Sequence, residues 1–148
     1  MMDSPLSEIT LRKYERPYQS DKRGLVRKVC LSLGLLQPGD SRDIVVDILL
    51  VLLRAREDKK ELELEKIKEQ AIEARKLASL EIKGIADSNI RRQLKKLRDV
   101  MLIEKINNNS YRISEFEPLS AIFESKVKSF YIAGITDRIK EYLELLEK

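Results

Sequence analysis

Five basic side chains stand close together at Arg91, Arg92, Lys95, Lys96 and Arg98. Threaded through them, Ile90, Leu94, Leu97 and Met101 recur at spacings of four, three and four. That spacing is one face of a helix of about 3.6 residues per turn, so the cations share the other side. From Asn89 to Arg112 seven Lys or Arg stand against Asp99 and Glu104, a local net of +5, whereas the whole chain carries only +4. Charge concentrated in this way suits a polyanion. Arg pairs bidentately with guanine, Asn with adenine, and either Lys or Arg with phosphate oxygens. Plain solvation of a surface helix is the competing use of these residues, and the concentration argues against it.

Other chemistry is limited by what is missing. There is no His and only one Cys, so no Ser-His-Asp or Cys-His arrangement and no imidazole metal site can be built. Cys30 lies in the apolar run Val29-Cys30-Leu31, the setting of a buried small hydrophobe rather than a nucleophile. A single Cys also forbids an internal disulfide, which agrees with a reducing, cytoplasmic location. No enzyme motif, cofactor site or metal site is expected. Charges begin at Asp3 with no long apolar core after them, so no signal peptide is expected either. With 43% hydrophobic and 36% charged residues, the chain reads as globular. Its Glu, Lys, Ile and Leu bias resembles that of proteins from hot environments.

The elements that must position the basic helix can be read outward from it. Ser88, or else Asp87, stands where an N-cap belongs. Leu102 to Ile106 changes period towards two, Asn107 to Ser110 is a turn composition, and Tyr111-Arg112-Ile113 alternates again. The second half is therefore a β-hairpin. Upstream, Gly84-Ile85-Ala86 is a turn, preceded by a charged stretch without Gly or Pro that predicts a long helix over about 62–80. Before that, a helix starting at Asp40 or Ser41, with Asp43 placed as in a capping box, runs through Ile44 to Leu53. This body is apolar almost all round but only half the roughly 20 residues of a membrane span, so it predicts a core helix covered on two sides. Asp47 would lie with Asp43 and Arg54 on a partly solvated strip. A first helix is expected over Ser20 to Leu36, with Ser20 as N-cap and Pro38-Gly39 as the stop. Residues 1–19 read as a loose extension, with a basic arm of Arg12, Lys13, Tyr14 and Arg16 as the alternative.

After the hairpin, 115–148 reads as a helical tail with two apolar stripes, broken near Gly134 with Thr136 as a new N-cap. Five basic residues against seven acidic ones from Ile113 onward make the tail unsuited to following DNA. Ile122, Phe130, Ile135, Tyr142 and Leu146 exceed what a small domain needs to cover, which predicts a homodimer interface there.

The run S-N-I-R-R-Q-L-K-K-L-R-D-V-M-L-I-E-K and the hairpin after it resemble the recognition helix and wing of winged helix-turn-helix regulators of the MarR, ArsR and PadR kind, archaeal and bacterial. The resemblance covers about 28 residues. It departs from the family at Met101, where Gly is usual. It implies a mainly α fold with a small β-hairpin, a winged helix-turn-helix over 40–114, an N-terminal extension and helix over 1–39 and the helical tail over 115–148. It also implies a homodimeric transcription regulator that binds double-stranded DNA and no membrane, with any small-molecule effector unknown. Ser88, Asn89, Arg91, Arg92 and Lys95 would face the bases. Lys96, Arg98, Lys105 and Arg112 would meet phosphates, and Asn107, Asn108 and Asn109 would form the wing tip. A winged helix that binds other proteins inside a larger assembly is the alternative.

Overall fold

The computed structural model describes residues 2–107 and 109–148. Asn108, expected in the wing tip, lies outside the described residues. The fold is mainly helical, with one small three-stranded antiparallel sheet.

Through Ser20 the N-terminal segment forms neither helix nor strand, yet it is tied to the body. Arg12 donates from Nη1 to the carbonyls of Leu31 at 2.9 Å and Leu36 at 3.2 Å, while Ile9 and Tyr14 pack against the core. Arg12 thus anchors the segment and belongs to no free basic arm. The first helix, α1 (Lys22–Ser32), is shorter at both ends than the expected Ser20 to Leu36. Asp21, not Ser20, is the N-cap, its carboxylate accepting from the Gly24 amide at 2.8 Å. At the other end Gly34 takes φ +72, and Leu35 turns its amide back to Cys30. A side chain at Gly34 would also collide with Thr10, 2.6 Å from an added Cβ. The helix therefore ends at the glycine needed for a left-handed turn, ahead of the proline.

The core helix α2 (Ile44–Glu57) starts later than Asp40 or Ser41. The Asp40 carboxylate accepts from the Arg42 amide at 2.9 Å, which makes 40–43 a turn instead of a first helical turn. Every residue from Ile44 to Leu53 is buried. α1, the helices α3 (Leu64–Leu77) and α4 (Asp87–Asp99) and the sheet all pack against α2, and their apolar side chains form one connected core with Ile122 and Val127 of the tail.

The expected helix over 62–80 is two elements. Leu62–Glu63 is a short strand, β1, and α3 spans Leu64–Leu77. β1 pairs antiparallel with the returning hairpin strand, Leu62 opposite Tyr111 and Glu63 opposite Ser110. Lys59, at φ 52, turns the chain out of α2 into this strand. Ser79, at φ 56, ends α3 before Leu80.

Asp47 is fully buried, not on a solvated strip. Its carboxylate is held by Arg23 of α1 and, at 2.8 Å, by Arg75 of α3, while Arg54 is exposed elsewhere. Asp43 accepts from Arg75 at 2.8 Å and from Arg27 at 2.9 Å. Arg75 also donates from Nε to the Glu81 carbonyl at 2.6 Å. Three helices are thus joined through charged groups beside the core, and no buried side-chain nitrogen or oxygen among the described residues lacks a partner. Desolvation pushes the Asp43 carboxyl up. The hydrogen bond from Arg75 and the charges of Arg75, Arg23 and Arg27 outweigh it and hold Asp43 below the usual carboxylate value.

After the hairpin and a tight turn at Ser114–Phe116, the tail is one unbroken helical run. α5 (Leu119–Ile122) passes through a π-helical segment, Phe123–Ile132, into α6 (Ala133–Leu146). The break expected at Gly134 does not occur. Thr136 donates to the Ala133 carbonyl at 3.1 Å from inside the helix and caps nothing. Among the described residues no helix is long and apolar enough to cross a membrane.

Candidate nucleic-acid interface

The basic helix is α4 (Asp87–Asp99), and its apolar face is fully buried at Ile90, Leu94 and Leu97. With that face fixed against α2 and α3, Arg91, Arg92, Lys95, Lys96 and Arg98 are left exposed together. Neither expected N-cap acts as one. Ala86 occupies the cap position, and Asp87 in the first turn pairs with Lys68 of α3 at 3.0 Å. Ser88 is exposed beside it. Carboxylate charge near a helix N-terminus is stabilising, so the Asp87–Lys68 pair both favours the first turn and ties α4 to α3.

Asn89 is engaged within the chain. Its side-chain nitrogen donates to the Gly84 carbonyl at 2.7 Å, and its oxygen accepts from Arg92 at 3.2 Å and Gln93 at 3.1 Å. Both ends of the amide are used, which leaves it unsuited to the bidentate adenine contact expected of it. Gly84, at φ +74, makes the turn that allows the first of these bonds.

The corner from α4 into the hairpin falls on Met101 at φ 68, so a side chain occupies the left-handed conformation that glycine adopts freely. Neighbours hold it there. Ser114 donates from its hydroxyl to the Met101 carbonyl at 2.9 Å, and Leu102 donates to Leu97 at 3.1 Å. The hairpin strands, β2 (Ile103–Ile106) and β3 (Ser110–Ile113), match the expected pair to within one residue, and the sheet order is β1-β3-β2.

On the hairpin the cations divide. Arg112 sits opposite Glu104, bonds it at 2.6 Å and lies over the Phe116 ring at 4.8 Å. Glu104 also accepts from the Glu115 amide at 2.9 Å. Desolvation raises its pKa, but that amide and Arg112 overcome the effect and leave it lowered. Arg112 is therefore a brace for the hairpin base rather than a free phosphate ligand. Lys105 is exposed, its ammonium 5.8 Å from the Tyr111 ring centre. Asn107 at φ 57 and Asn109 are exposed at the tip.

On α4 itself Lys95 pairs with Asp99 at 3.1 Å, both largely exposed, an arrangement that solvent screens to little net effect. Among the described residues Arg91, Lys96 and Arg98 make no ion pair. Cys30 is fully buried, and burial pushes its thiol up to about 12. Among the described residues no group of three His, Cys, Asp or Glu is placed to hold a metal ion.

Of the five residues expected at a dimer interface, Ile122 is 1% exposed and belongs to the core of its own chain. The uncovered apolar surface is continued by Ile139 and Leu143, which the sequence places on the second apolar stripe, and by Leu145, which it does not. Phe130, Tyr142 and Leu146 remain exposed and Ile135 half-buried. The Asp43–Asp47–Arg75 cluster is not among the expectations drawn from the sequence, although two acids four apart at the start of an apolar helix signal a buried cationic partner. Comparison with known protein families, with curated proteins and with solved structures finds no match.

Proposed function

We propose that this chain is a winged helix-turn-helix protein that binds double-stranded DNA as a homodimer and regulates transcription. The observation that carries the reading is the outward face of α4, where five cations stand exposed above a fully buried apolar face. The order α2-β1-α3-α4-β2-β3 with sheet order β1-β3-β2 supports it, since a short third strand supports the hairpin as a wing beside the helix. In this reading α4 enters the major groove, about 12 Å wide. Arg91, Arg92 and Lys95 face the bases from its first half, with Ser88 beside them. Lys96 and Arg98 meet phosphates, and Lys105 with Asn107 and Asn109 meets the flanking backbone. Asn89 steadies Arg92, and Arg112 holds the wing base.

The test is equilibrium binding to a random duplex at several salt concentrations, followed by selection of bound duplexes from a random pool. Affinity falling linearly in log salt, with a recurrent selected sequence, is the expected result. The uncovered apolar face of α6 favours a second reading, a winged helix that binds protein. No salt-dependent duplex binding would leave that reading in place.

A further inference from the structure

Two uncovered apolar surfaces of opposite shape lie on this chain. One is a groove of about 840 Å³ between residues 14–18 of the N-terminal segment, the outer side of α1 and the start of the tail helix. Tyr18, Leu25, Val29, Leu119 and Phe123 supply its apolar walls, and Leu25 is still 45% exposed. The other is the convex stripe of Ile139, Tyr142, Leu143 and Leu146 on α6, a helix with no buried residue. Contiguous uncovered apolar surface of this kind marks an interaction site.

Their charges are complementary. Between Lys140 and Lys148 the chain carries Glu141, Glu144 and Glu147. Glu141 is paired with Arg138 at 2.6 Å, whereas Glu144 and Glu147 make no ion pair among the described residues. The groove is edged by Arg16, Arg27 and Lys28 against Glu15 and Glu124. Lys28 is held by Glu15, Arg27 by Asp43, and Glu124 lies 3.5 Å from Lys128. Arg16 makes no ion pair among the described residues and is left to meet an acidic partner.

We infer that α6 of one copy docks in this groove of a second copy, its acidic edge against Arg16, and that the exchange is reciprocal. Each copy then gives a helix and offers a groove, so the contact closes as a two-fold pair and leaves neither surface open. This rests on the paired-copy part of the function proposed above and not on DNA binding.

Because Cys30 is buried with a thiol pushed up to about 12, added exposed cysteines cross-link without competition from it. The experiment mixes Leu25→Cys protein with Leu146→Cys protein under mild oxidation, beside each variant alone. The expected result is a covalent dimer in the mixture and little in either variant alone. Cross-linking of Leu146→Cys alone, with no species in the mixture that joins Leu25→Cys protein to Leu146→Cys protein, would show tail meeting tail and overturn the inference. Sedimentation of the parent chain needs no variant. A dimer at micromolar concentration is expected, dissociating about tenfold or more easily in Leu143→Asp with an unchanged circular-dichroism spectrum. A monomeric parent would overturn the inference whatever the DNA result.

Discussion

Arg75 reaches two carboxylates and a backbone carbonyl from a position only 2% exposed. Removing it strands Asp47, a fully buried charge, with Arg23 alone, and breaking a buried pair in this way costs about 3–5 kcal/mol. Arg75→Met is therefore expected to lower the unfolding free energy by about that amount in denaturant melts, while Lys95→Met, which breaks an exposed pair, costs about 0–1 kcal/mol. The same cluster sets an acid limit. Asp43 titrates below its unfolded value of about 3.9. Its contribution is whole above that pH and disappears as pH falls through the folded value. Stability is thus expected to be flat in this respect above about pH 5 and to fall below about pH 4. Asp43→Asn should be less stable at neutral pH and lose less on acidification. Parallel curves for parent and variant would remove Asp43 from the explanation. Asp47 was misplaced in the sequence reading because a helical wheel shows only neighbours on the same helix. Its partners come from α1 and α3, more than twenty residues away in either direction.

At the scale of elements, α4 and the hairpin were legible because two strong periods meet there. Ile90, Leu94 and Leu97 repeat at helical spacing, and Ile103 to Ile106 and Tyr111 to Ile113 alternate. β1 was not legible. Leu62 and Glu63 are ordinary helix residues, and only pairing with Tyr111 and Ser110 makes them a strand. The ends of α1, α2 and α3 depended on positive φ at Gly34, Lys59 and Ser79 and on the turn at Asp40, which local composition announces weakly. The continuity of the tail through Gly134 was likewise hidden, since Gly tolerates a helix interior at a cost of about 1 kcal/mol. The corner at Met101 gives a prediction of its own. Glycine there would relieve a left-handed strain of about 1–2 kcal/mol, offset in part by lost contacts of a half-buried side chain. Met101→Gly is expected to keep or raise the melting temperature, and a clear drop would show that the Met101 side chain outweighs the strain.

The molecule as a whole carries two surfaces of different character. One is α4 and the hairpin with their exposed cations, and the other is a slightly acidic, apolar helix that its own core does not cover. α2 ties the fold together, since it touches both α1 and α4. Sequence patterning conveyed the contrast between the two surfaces, because it is compositional. It did not convey that the N-terminal segment is strapped down through Arg12 and through the bond from Tyr131 to the Glu8 carbonyl, because those contacts join distant parts of the chain. On the wing, Lys105→Ala is expected to weaken binding to all duplexes alike and to reduce the salt slope by about one. Arg112→Ala should act through the stability of the hairpin instead, and a melt distinguishes the two.

The most direct measurement is duplex binding by the parent and by Arg91→Ala/Arg92→Ala at two salt concentrations, with a thermal melt of each. Both arginines are exposed on the outer side of α4, so the melts should coincide. Binding should weaken by about 1–3 kcal/mol for each arginine that reads a base, with preference relaxed at that base pair. A double variant that melts like the parent and binds DNA just as tightly, or a parent that binds no duplex at low salt, would contradict the assignment of α4 as the reading helix.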